Sequence, residues 1–289
     1  MLFVLNVNKI NNMGKVIATD LDGTLLYPKK RVRMISTKTL RFLRRFADNG
    51  GKIVLVSGRN SEYLKKVAKK IDRKCDMIGC NASFVISDDK YIKKVYFNNA
   101  RLAEILDEIE KTYKPKTFFL MSEDNQFIMR DSFESRFYSA GYALWNFFEG
   151  VYREPFIVSK EKFNEILKTG KIRKIMIFFG IGKKNVNSSK EANKGIFEKY
   201  RNEVEPSWSG EFIELSPFGC SKSEGLKYYI EYNKINHNDV YVVGDSGNDI
   251  SMFKEFPENS FCMKHSPLSV SKYAKHVIKH FSDLEKYIV

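Results

Sequence analysis

Val16-Ile17-Ala18-Thr19-Asp20-Leu21-Asp22-Gly23-Thr24 is the stretch that decides how this chain of 289 residues is read. A short apolar run ends in two aspartates spaced i, i+2, and Gly and Thr follow at once. β-Branched residues in such a run, bounded by a turn signal, predict a buried strand. Residues i and i+2 of an extended chain project to the same side. Extension through Leu21 would therefore set Asp20 and Asp22 side by side at the strand's C-terminal end, where Gly23 lets the backbone turn. Two carboxylates held together repel unless a cation lies between them or one keeps its proton. Both outcomes are useful in catalysis. A solvated turn carries the same residue types, so the rest of the chain has to decide.

Two further apolar runs end in small and polar residues. Ile53-Val54-Leu55-Val56 runs into Ser57-Gly58-Arg59, and Val240-Tyr241-Val242-Val243 runs into Gly244-Asp245-Ser246-Gly247-Asn248-Asp249. A helical spacing of apolar residues over 35–49 separates the first two runs, and Gly50-Gly51 ends it. A second helix, capped by Ser61, leads to a third short strand and turn at 77–82. The alternation of strand and helix predicts a parallel sheet with right-handed crossovers. Ligands of open parallel sheets bind outside the carboxyl ends of the strands. The three clusters are therefore expected on one edge. Sequence-distant carboxylates meeting there imply a divalent metal, and magnesium suits oxygen ligands with a substrate phosphate. Ser57 and the Gly58 amide offer donors to phosphate oxygens, and Lys222 offers a fixed positive charge. Neither a P-loop nor a dinucleotide glycine fingerprint is present.

From Ser83 the texture changes. Two apolar segments flank Asp88-Asp89 as a hairpin, and helices then mix with strands up to about Leu215. The expected fold class is α/β: a Rossmann-like parallel-sheet core over 13–82 and 212–289, with an inserted α+β cap over 83–211. Residues 1–12 read as an N-terminal arm before the first convincing strand. The aromatic group Trp145, Phe147 and Phe148 is assigned to a core. The four histidines, His237, His265, His276 and His280, are assigned to the surface or to helix ends.

Composition narrows the partners. Net charge is +14, from 49 basic and 35 acidic residues, but the lysines are scattered without a long basic block. That distribution fits a solvated surface and a small acidic substrate better than nucleic acid, although a basic nucleic-acid-binding protein is a competing reading. No run approaches the roughly 20 apolar residues of a membrane span. The start of the chain is a poor signal peptide. Four cysteines, none in a Cys-x-x-Cys pair, fit reduced thiols in the cytoplasm. A monomer or weak homodimer is expected, with neither membrane nor nucleic-acid partner.

In order and content, Asp20-Leu21-Asp22-Gly23-Thr24, Ser57-Gly58-Arg59, Lys222 and Gly244-Asp245-Ser246-Gly247-Asn248-Asp249 resemble the four motifs of the haloacid dehalogenase-like hydrolase superfamily. The placement of the insert resembles the cap of its Cof-type phosphatases. Cys80-Asn81-Ala82 is similar to that branch's Asn-Gly-Ala turn, and Glu214-Leu215-Ser216-Pro217 with Ser221-Lys222 is similar to its approach to the lysine. Met263-Lys264 resembles a Met-Lys-Asn-Ala segment, from which this chain departs at His265-Ser266. The resemblance implies a magnesium-dependent phosphatase acting on small phosphorylated metabolites, with a phosphomutase or phosphotransferase as the alternative. It implies that Asp20 attacks phosphorus and that Asp22 serves as acid and then base. It also implies that Lys222, Ser57, Gly58 and Asn248 hold the phosphoryl oxygens. Mg2+ would be held by the Asp20 side chain, the Asp22 backbone carbonyl and the Asp245 side chain. Asp249 would support them or reach the ion through water.

Overall fold

Val16–Thr19 forms strand β1, and all four of its residues are buried. Its neighbours on either side, β2 (Lys52–Val56) and β12 (Val240–Gly244), run parallel to it. The computed structural model describes residues 14–27, 35–124, 127–133, 136 and 156–288. The expected arm at 1–12 and the aromatic group Trp145, Phe147 and Phe148 lie outside the described residues. Among the described residues, β3 (Cys75–Gly79), β4 (Phe84–Ser87), β5 (Lys90–Lys94), β13 (Ser260–Met263) and β14 (His276–Ile278) complete an eight-stranded sheet in the order β14-β13-β12-β1-β2-β3-β4-β5. The six strands from β14 to β3 are parallel, β4 runs antiparallel to β3, and β5 runs antiparallel to β4.

Both faces of this sheet are covered, which is why its central strands read as continuous apolar runs. Ile17, Ile53 and Leu55 share a core with Leu43 and Phe46 of the helix Thr37–Asp48 and with Leu64 and Val67 of the helix Ser61–Ile71. Val16, Ala18, Val54 and Val56 point the other way, to Leu226 and Tyr229 of the helix Lys222–Tyr232 and to Phe253. Alternation along each strand produces this division. The second helix is capped by Asn60, whose side chain accepts from the Tyr63 amide, and not by Ser61.

The second sheet has the order β10-β11-β9-β6-β7-β8. Its strands are β6 (Thr117–Ser122), β7 (Phe127–Arg130), β8 (Phe156–Val158), β9 (Ile172–Phe178), β10 (Val204–Ser209) and β11 (Phe212–Pro217). Helices Asn99–Tyr113, Lys160–Thr169 and Lys183–Tyr200 bury Phe118, Leu120, Ile175, Ile177 and Ile213 on one face. The expected boundaries at 83 and 211 need correction. The hairpin β4–β5 pairs with β3 and extends the core sheet, while β11 pairs with β9 and β10 and belongs to the cap. Apolar alternation identifies a strand but not the sheet edge it joins. That edge is set here by the turn at Cys80, Asn81 and Ala82, all with positive φ, which folds β4 back onto β3.

Candidate active site

The turn after β1 is built around Gly23. The Asp20 amide still donates to Val243 O at 2.9 Å, one residue beyond β1. The chain then turns through Asp22 (φ −76°, ψ 106°) and Gly23 (φ 91°). A Cβ on Gly23 would lie 2.2 Å from Asp245 Oδ2, so only glycine admits this approach of the two loops. Gly244 behaves likewise, because a Cβ there would lie 2.4 Å from Asp249 Cγ. The ends of β1 and β12 are thus interlocked by the residues the sequence singled out.

Lys222 joins them. Ser221 caps its helix by accepting from the Glu224 amide, which places Lys222 in the first turn. Lys222 is 2% exposed, and its Nζ donates to Asp20 Oδ1 and to Asp249 Oδ1, both at 2.7 Å. The other oxygen of Asp249 accepts from the amides of Asp245 at 2.9 Å and Ser246 at 3.0 Å. Asp249 therefore aims Lys222 and shapes the loop. The carboxylates of Asp20, Asp245 and Asp249 offer oxygens within 4.8 Å of one another.

Asp22 is placed differently from a side-by-side pair. Its carboxylate receives two hydrogen bonds from Arg59, at 2.8 and 3.2 Å, because the chain leaves the extended form after Asp20. Nothing in the local sequence gives Arg59 this partner. Its own amide donates to Ser57 Oγ at 3.2 Å, so the loop after β2 and the turn after β1 are tied together. Asn248 accepts from Ser246 Oγ at 2.8 Å and lines a cavity of about 160 Å³ with Lys222, Asn81, Ser207 and Ser221. His276 departs from the surface or helix-end assignment, half-buried in β14 against Phe261, whereas His265 keeps to it and is exposed. The Nε2 of His265 lies 3.2 Å from Asp245 Oδ2, and its ring stacks on Tyr27 at 4.0 Å. Thr24 Oγ1 donates to the other Asp245 oxygen at 3.2 Å. The only sequence signal for His265 was the departure from Met-Lys-Asn-Ala.

The electrostatics follow from burial. Desolvation raises the Asp20 carboxyl from its ordinary 3.8 to about 7; Lys222 opposes the rise, and Asp249 and Asp245 add to it. Desolvation likewise raises Asp245, with Asp249 adding to the effect. One buried ammonium does not balance three close carboxylates, and their oxygens are the donors that magnesium prefers. The residues present therefore fit a hard divalent cation. In the metal-free protein, the raised Asp20 carboxyl has a signed consequence. Its contribution to stability is fully present below about pH 4 and is lost as pH rises through about 7. The metal-free protein should melt several degrees lower near pH 8 than near pH 5.5, at about 2–4 °C per kcal/mol for a chain of this size. Added magnesium should recover that loss near pH 8. Melting curves in chelator that stay level across this range would contradict the electrostatic account.

The family model described as haloacid dehalogenase-like hydrolase matches residues 17–284. A phosphoglycolate phosphatase of Thermoplasma volcanium is 25% identical over 267 residues, covering 92% of this chain and 92% of its own. The crystal structure of a Streptococcus mutans protein superposes with a TM-score of 0.78 at 20% identity, over 95% of this chain and 98% of that one. A sugar phosphatase of HAD subclass IIB superposes at 0.73 with 18% identity, over 95% and 100%. The extent of the family match, on a chain that carries the interlocked Asp20, Lys222 and Asp245 site, settles the family. The chain belongs to the haloacid dehalogenase-like hydrolases, in their Cof-type branch.

Proposed function

We propose that this phosphatase hydrolyses phosphate monoesters of small metabolites, sugar phosphates among them, through an aspartyl-phosphate on Asp20, with Mg2+ as cofactor. The observation that carries the proposal is the placement of Asp20. It is a buried carboxylate at a parallel strand's C-terminal end, held 2.7 Å from the Lys222 ammonium and beside Asp245. Asp20 would attack phosphorus while the ester oxygen leaves with a proton from Asp22. Asp22 would then take a proton from water, which attacks the same phosphorus and returns the carboxylate. Splitting one displacement into two is what a covalent carboxylate nucleophile achieves.

Each neighbour has a task in this scheme. The Arg59 pair holds Asp22 in the accepting form that the second step needs, and giving a proton in the first step requires its carboxyl to leave Arg59. Lys222 carries a fixed positive charge to the phosphoryl oxygens and is kept there by Asp249. Ser57, the Gly58 amide and Asn248 supply donors to the remaining oxygens. Asp20, Asp245 and the Asp22 backbone carbonyl would hold the cation, with Asp249 acting through Lys222 and the loop amides. Bound there, the cation supplies charge that keeps an anionic nucleophile and an anionic phosphate from repelling each other.

No helix among the described residues is long and apolar enough to cross a membrane. The four cysteines are free and buried, which supports a reducing compartment. We assign the protein to the cytoplasm, as a monomer or weak homodimer without a nucleic-acid partner. A panel of phosphorylated metabolites assayed with magnesium tests the proposal. Release of inorganic phosphate from one class of ester, lost in chelator and without transfer to added sugar, is the expected result. Phosphoryl transfer to an acceptor in preference to water would instead make the enzyme a phosphotransferase.

A further inference from the structure

Strand β9 carries Lys174, Met176 and Phe178 on one face, and β11 carries Phe212 and Glu214 on the same face, because side chains alternate. Lys174 and Glu214 are the charged residues in this otherwise apolar set. Lys174 is 2% exposed. Its Nζ lies 2.9 Å from Glu214 Oε2 and donates to the carbonyl of Gly58 at 3.0 Å. Glu214 Oε2 also accepts from Asn81 Nδ2 at 2.8 Å. Burial acts to raise the Glu214 carboxyl, but the Lys174 charge and hydrogen bond, the Asn81 hydrogen bond and the Lys222 charge together hold the group below its ordinary value. Two cap strands thus set a polar knot against two core loops, and one of those loops holds Ser57 and Gly58.

Gly58 fits this knot for a reason of space. A Cβ there would lie 2.8 Å from Lys174 Nζ, 3.1 Å from Asn81 Oδ1 and 3.2 Å from Glu214 Oε2. A buried ion pair is in general a weak source of stability, and apolar residues often replace one at no loss. What apolar residues do not reproduce is a charged donor on the Gly58 carbonyl.

We propose that Lys174, oriented by Glu214, is a cap-borne positioning residue for the phosphate-binding loop. Its ammonium fixes the Gly58 peptide and so couples seating of the cap to capture of the phosphoryl group. The inference rests on the reading of Ser57–Gly58 as phosphate holders. Lys174 itself is spent on Gly58 and Glu214, so it acts through the loop.

Inorganic phosphate, titrated by calorimetry with magnesium present, tests the coupling alongside melting curves and steady-state kinetics. Lys174→Met leaves the Glu214 carboxylate buried without its cation and should lower the melting temperature. The double variant Lys174→Met/Glu214→Gln removes both charges and should melt near the wild type. Both variants should bind phosphate about tenfold more weakly, the scale of one hydrogen bond from a charged donor. The same factor should appear in KM, because Gly58 holds the phosphoryl group before and during reaction. Recovered melting with phosphate affinity still weak supports positioning. Recovery of both in the double variant overturns it and leaves a purely structural pair. If wild-type protein neither binds phosphate nor hydrolyses any ester, the phosphate-site reading itself is wrong, and the coupling falls with it.

Discussion

Asp20→Asn will abolish turnover, with a loss on the order of a millionfold, the scale seen when a covalent nucleophile is removed. An amide does not attack phosphorus under these conditions, so no phosphoenzyme should form with any ester. The fold should survive the change. Burial raises the Asp20 carboxyl to about 7, which means that its charge is costly in the metal-free core. Asn has nearly the same shape and no charge to bury. Lys222 keeps Asp249 as a partner at 2.7 Å. The metal-free variant should therefore melt no lower than the metal-free wild type above about pH 7. Loss of activity with a collapsed melting temperature would point to Asp20 as a structural anchor. Loss of activity with retained melting separates chemistry from folding. Turnover within tenfold of wild type would remove Asp20 from the mechanism.

Asp22→Asn will fail in a manner that depends on the leaving group. In the proposed scheme it keeps the nucleophile and the backbone carbonyl, but it removes the proton donor of the first step and the base of the second. A sugar alkoxide is a poor leaving group and needs the donated proton. General acid help is typically about a hundred- to ten-thousand-fold, or roughly 3–5 kcal/mol at about 1.36 kcal/mol per tenfold. A nitrophenyl ester leaves as a stabilised anion and needs much less help. Nitrophenyl phosphate should still phosphorylate the variant, which then stalls before hydrolysis and shows a burst followed by slow turnover. The Arg59 pair sharpens this expectation. Asn offers one acceptor oxygen where Asp22 offers two to the guanidinium, at 2.8 and 3.2 Å, so Arg59 should hold the variant's side chain less firmly. Equal loss with both esters, and no burst, would make Asp22 a structural partner of Arg59 rather than an acid and base.

Much of the site was legible because of where it sits. Parallel strands buried on both faces leave unbroken apolar runs, so Val16–Thr19, Lys52–Val56 and Val240–Gly244 stand out, and the polar residues at their ends stand out with them. Gly23 and Gly244 were legible as turn residues, although the atoms that require them belong to Asp245 on the facing loop and to Asp249 further along the same turn. Lys222 was one lysine among many, and only its place in a resembling order of motifs singled it out. The hairpin at Phe84–Lys94 was legible as a hairpin but not as part of the core sheet, since pairing between β3 and β4 is a choice of edge. Arg59 shows a different limit. Its residue type was in view, but its partner lies 37 positions away, and no local pattern names Asp22 as that partner. Lys174 was silent for the same reason, Glu214 was in view only as part of a resembling segment, and His265 only as a departure from one.

The measurement that tests the account most directly is to quench Asp22→Asn during its burst with nitrophenyl phosphate, digest it, and locate the phosphoryl group by mass spectrometry. The account predicts one acyl-phosphate, on the carboxylate of Asp20 in the peptide that contains Leu21 and Gly23, formed with magnesium and absent in chelator. A phosphoryl group on any other residue, or nitrophenol release with no adduct at all, would contradict it.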